Sequence, residues 1–71
     1  MKNKKPIDIK EKLAYALFKP GDKVRAKCGS VYVVKYVLGY NVALDQIEYV
    51  LKNSEHEMFE TIFQEKNLEV Y

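Results

Sequence analysis

The chain has 71 residues, 12 Lys and Arg against 10 Asp and Glu, 48% hydrophobic side chains and a single cysteine. That is one domain at most, too hydrophobic and too near neutral for wholesale disorder, and without the run of about 18 apolar residues that a membrane span needs. A deep catalytic pocket is not expected at this size, and Cys28 has no partner for an internal disulfide, which suits a reducing cytoplasm.

Residues 1–6 read as a flexible basic tail. Lys2, Lys4 and Lys5 resemble the start of a signal peptide, but Asp8, Lys10, Glu11 and Lys12 interrupt any apolar run behind them. Residues 7–18 are expected to form one amphipathic helix. Pro6 suits a helix start, and Ile9, Leu13, Ala16 and Leu17 make an apolar stripe that must dock on something. Lys19-Pro20-Gly21-Asp22 has the pattern of a type II turn, with Pro presetting φ and Gly tolerating φ > 0.

A strand is expected from Lys23. Val24, Ala26 and Cys28 alternate with Lys23, Arg25 and Lys27, giving one apolar and one basic face. Gly29-Ser30 reads as the hairpin turn, and Val31 to Leu38 as a second, β-rich strand that stops or bends at Gly39. Residues 40–66 support two readings. As helices, Ala43, Ile47, Val50 and Leu51 form a stripe, and Ser54-x-x-Glu57 is a capping box before Met58, Phe59, Ile62 and Phe63. That version gives an α+β fold with a β-hairpin and C-terminal helices. As strands, segments at about 41–45, 47–53 and 57–63 join a last strand at 68–71. Tertiary logic favours strands, because a two- or three-stranded sheet that is apolar on both faces cannot shield itself, whereas short strands can curl and close.

The order of these signals resembles the small SH3-like barrels of the broad Tudor and KOW type, among them many bacterial and phage proteins. The likeness rests on Phe18-Lys19-Pro20-Gly21-Asp22-Lys23-Val24 at the start, Tyr32-x-Val34 in the second strand, and Phe63-Gln64-Glu65-Lys66-Asn67-Leu68-Glu69 at the end. It covers residues 18–71 and implies a mainly β fold: a barrel of about five strands over residues 19–71, preceded by the helix, with a single 3₁₀ turn at Gln64–Asn67 before the last strand. The two-residue loop Gly29-Ser30 is much shorter than the first loop of an SH3 domain, so neither a proline-peptide groove nor any functional residue is carried over.

The chemistry points away from catalysis. His56 is the only histidine; Ser54, two residues before it, reads better as a turn residue or cap, and no backing acid is evident. Cys28 and His56 lack metal-ligand spacing, and three isolated glycines make no phosphate loop, so neither a metal nor a cofactor is expected. Charge is segregated: residues 1–27 carry a net +6 and residues 28–71 a net −4. Lys23, Arg25 and Lys27 are the candidate nucleic-acid contacts, with phosphate rather than base recognition implied by eleven Lys against one Arg. The simpler reading of that face is a solvated strand kept from aggregating by lysine. Six tyrosines favour a protein partner, with Tyr32, Tyr36, Tyr40 and Tyr49 as candidate contacts. Tyr32 and Tyr36 are expected on one strand face around Val34, and at least one of Tyr36, Tyr40 and Tyr49 at the surface. The expectation is thus a cytoplasmic, non-catalytic interaction module for a protein partner, similar to accessory proteins of phages or mobile elements. The alternative is a non-specific nucleic-acid binder.

Overall fold

The computed structural model describes residues 9–53, 55 and 59–71. The tail at 1–6, the helix start at Pro6, Ser54, His56, Glu57 and Met58 lie outside them. Within the described residues a short helix, α1 (Ile9–Ala14), precedes five strands: β1 (Lys23–Ala26), β2 (Val31–Asn41), β3 (Gln46–Asn53), β4 (Glu60–Gln64) and β5 (Leu68–Val70). All pair antiparallel in one sheet of order β4-β3-β2-β1-β5. The protein is therefore mainly β, and strands rather than helices occupy residues 46–53 and 60–64. The backbone ladder decides between the two readings: β3 pairs residue by residue with β2 on one side and β4 on the other, and Val50 is buried along with Ile47, Tyr49 and Leu51.

The helix ends at Ala14, sooner than its pattern suggests. The amides of Tyr15 and Ala16 donate to the carbonyls of Lys12 and Leu13, three residues back, so the last turn tightens. Leu13 and Ala16 still pack on the core, but Leu17 is carried off the stripe and is 70% exposed. The turn that follows forms as its sequence dictates. The Asp22 amide donates to the Lys19 carbonyl at 3.0 Å, and Gly21 has φ 93°. A side chain at that φ is strained even though the space around it is open, so Gly21→Ala is expected to destabilise the domain by about 1 kcal/mol in chemical denaturation.

The first hairpin departs from the expected Gly29-Ser30 turn. Gly29 donates to the Ala26 carbonyl and Ala26 to the Ser30 carbonyl, both at 2.8 Å, and Gly29 has φ 105°. These are the bonds of a three-residue loop, Lys27-Cys28-Gly29, with glycine in the left-handed position. Cys28 and Lys27 therefore leave the strand, and Cys28 is exposed rather than on the apolar face. Nor does Gly39 end β2, which runs through it to Asn41 with register shifts between Val34 and Tyr36 and between Val37 and Gly39. Residues 42–45, read as strand, form the β2–β3 turn, in which the Leu44 amide donates to Asn41 Oδ1 at 3.1 Å and Asp45 has φ 52°.

The sheet is not closed into a barrel, because β4 and β5 are its two ends and do not pair with each other. It cannot be flat either. Five strands at about 4.8 Å spacing would put the outermost strands some 19 Å apart. The chain passes from Gln64 in β4 to Leu68 in β5 through one 3₁₀ turn, Glu65–Asn67. Those few residues reach at most about 14 Å when fully extended. The sheet therefore curls, and its concave side holds the core: Phe18, Val24, Ala26, Val34, Ile47, Tyr49, Leu51 and Leu68.

Candidate functional site

Bulges decide where the candidate tyrosines go. Tyr32 pairs with Val24 on the concave face, half-buried, with its ring 5.4 Å from that of Phe63. The register shift after Val34 inverts the alternation. Val37 takes the next core position, and Tyr36 turns to the convex face opposite Val50, 45% exposed. Tyr32 and Tyr36 thus do not share a face around Val34, and no aromatic groove forms between them. Tyr36 does supply the exposed ring expected among the later tyrosines. Tyr49 is fully buried, edge-on to Phe18 at 5.5 Å.

The hydroxyl of Tyr49 sits at the centre of a polar junction. It donates to Glu65 Oε2 and receives the Phe18 amide at 3.4 Å, while the Leu17 amide donates to the same Glu65 oxygen at 3.0 Å. One carboxylate thereby ties the segment after α1 to the 3₁₀ turn across the rim of the sheet. Burial, and then the bond to Glu65, push the Tyr49 phenol well above its ordinary range.

Beside this junction lies an open cleft of about 280 Å³ between α1 and the β2–β3 turn. Its walls are Lys12 and Tyr15 from the helical segment, Tyr40, Asp45 and Ile47 from the hairpin, and Glu65. The Lys12 ammonium lies 5.6 Å from the centre of the Tyr40 ring and 3.8 Å from Asp45 Oδ1. Tyr40 donates its hydroxyl to Asp45, and that bond, with some desolvation, raises the Tyr40 phenol above its ordinary value. The cleft thus presents two aromatic rings and two carboxylates, and a cationic side chain already rests in it. Tyr15 (72% exposed), Leu17 and Leu44 leave apolar surface at or beside its rim.

The basic candidates gather elsewhere. Lys23 and Arg25 project from the convex face of β1, whose concave positions are the buried Val24 and Ala26. Lys27 stands apart in the hairpin loop. The ring of Tyr71 lies against both strand cations, 5.2 Å from Lys23 Nζ and 5.4 Å from Arg25 Cζ.

Of the candidate tyrosines only Tyr40 belongs to the cleft. Tyr15, Asp45, Glu65 and Tyr71 were not singled out from sequence. Asn41 and Asp45 bracket a turn and were the available signal, but Val42, Ala43 and Leu44 between them read as strand. Among the described residues no three of His, Cys, Asp and Glu gather as a metal ion would need, and no helix is long and apolar enough to cross a membrane. Compared with family models, with curated proteins and with solved structures, the chain gives no match.

Proposed function

We propose that the protein is a non-catalytic interaction module of the cytoplasm that binds a protein partner, taking a lysine or arginine side chain of that partner into the cleft between α1 and the β2–β3 turn. One observation carries this reading: the chain's own Lys12 ammonium lies over the Tyr40 ring and beside Asp45, so the cleft already holds the chemistry it would recognise. The Asp45 and Glu65 carboxylates complement a cation, and exposed Tyr15, Leu17 and Leu44 offer the apolar surface that surrounds a protein contact. The strand order β4-β3-β2-β1-β5 and the 3₁₀ turn before β5 support reading the curled sheet as an open form of the SH3-like small barrel. The free, exposed Cys28 is in keeping with a reducing compartment.

Titration calorimetry with a trilysine peptide tests the reading. Because Lys12 competes for the cleft, Lys12→Ala is expected to tighten binding several-fold, and Asp45→Asn to weaken it. Binding that weakens on Lys12→Ala, or that neither the wild type nor the variant shows, contradicts it.

A further inference from the structure

We propose that the convex face of β1, together with Tyr71, is a second binding site, for single-stranded nucleic acid. Three observations converge there. Lys23 and Arg25 stand two residues apart on a strand, so both point the same way, and Lys27 follows in the adjoining loop. Among the described residues none of the three has a carboxylate oxygen within 4 Å, although Glu69 stands opposite Arg25 in the register of β5. By contrast, Lys12 and Lys35 are both paired with carboxylates. The cations of β1 are thus available to phosphate oxygens.

The third observation is the aromatic ring over which Lys23 and Arg25 both lie. Tyr71 lies against both cations yet is 58% exposed, so part of its ring stays open to solvent. A partly exposed ring in contact with two cations that have no carboxylate partner fits one nucleotide unit, in which the cations turn to the neighbouring phosphates and a base stacks on the ring they uncover. Stacking of this kind needs an unpaired base, which selects a single strand over a duplex. The chemistry recognises phosphate and a π-face, not base edges, so little sequence preference is expected. The site is separate from the cleft, which lies at the far end of β2 beside the β2–β3 turn.

Fluorescence anisotropy with a labelled ten-residue oligo-dT tests the proposal. Binding is expected to weaken with salt with a log–log slope of about −1.4, the value for two phosphate contacts on a single strand. Tyr71→Ala should weaken binding roughly tenfold with the slope unchanged, while Tyr71→Phe, which keeps the ring, stays within about twofold of wild type. The pair Lys23→Glu and Arg25→Glu should abolish binding, whereas Lys66→Glu, an exposed lysine of the 3₁₀ turn, should have little effect. All these side chains are exposed, so the fold tolerates the changes, and circular dichroism verifies that it does. The proposal is overturned if oligo-dT does not bind at 50 mM salt, or if Tyr71→Ala changes nothing. It is equally overturned if a duplex of the same length binds as tightly, or if polyglutamate competes as well as oligo-dT, which would leave a general polyanion or acidic-protein surface.

Discussion

Leu51→Ala is expected to lower the stability of the domain by about 3 kcal/mol, through lost transfer energy and the cavity left behind. Leu51 has no exposed surface and lies in the middle of β3, flanked across the ladder by Val34 of β2 and Thr61 of β4. Neither neighbour can move into the vacated space without breaking ladder bonds. For a domain of this size the loss corresponds to a fall in Tm of roughly 12–24 °C, enough to leave much of the protein unfolded near body temperature. Ile62→Ala provides the control. Ile62 is in the neighbouring strand and of similar volume but 54% exposed, and its loss should cost no more than about 0.5 kcal/mol. If the two residues lay on the apolar stripes of two successive helices, as the alternative reading of this segment has it, both would be buried and the two effects would be similar. Thermal melts of the two variants measure the contrast directly.

Tyr49→Phe carries the second-largest effect, for a different reason. The substitution keeps the ring against Phe18 and removes only the hydroxyl that bonds Glu65 and the Phe18 amide. A hydrogen bond to a charged group is worth about 2 kcal/mol, and here it also secures the segment after α1. The same hydroxyl makes the domain sensitive to alkali. The Tyr49 phenol titrates higher in the folded chain than in the unfolded one, because it is buried and donates to a carboxylate. Its contribution is therefore present in full below about pH 10, the ordinary tyrosine value, and is lost as the pH rises above that. Urea denaturation at pH 8 and pH 11 should show a steep loss of stability in the wild type and a shallower one in Tyr49→Phe. Equal losses in the two proteins would mean that Tyr49 does not sense the folded state.

The parts of the fold that were legible in the sequence are those written in local chemistry. Pro20-Gly21 forms the turn it encodes, Val24 and Ala26 face the core while Lys23 and Arg25 do not, and Ile47, Tyr49 and Leu51, which alternate in the strand reading, lie in β3 and in the core. What was not legible depends on partners distant in sequence. The bulge after Val34 arises from the pairing of β2 with β3, and it alone separates Tyr32 from Tyr36. The 42–45 turn contains apolar residues typical of strands, so its turn character shows only in Asn41 and Asp45. The cleft is less visible still. It draws Lys12 and Tyr15, Tyr40 and Asp45, and Glu65 from three segments, and no spacing along the chain connects them. The junction through Tyr49 and Glu65, residues 16 apart, likewise exists only because the sheet curls.

The two proposed binding surfaces have opposite chemistry on one small curled sheet, an aromatic–acidic cleft and an aromatic–basic face. Amide chemical-shift mapping of the full chain, titrated in turn with trilysine and with oligo-dT, tests this most directly. Two footprints that do not overlap are expected: trilysine should move Lys12, Tyr40, Asp45–Ile47 and Glu65, and oligo-dT should move Lys23–Lys27 and Tyr71. Shifts at the same residues with both ligands, or trilysine shifts centred away from Tyr40 and Asp45, would contradict this.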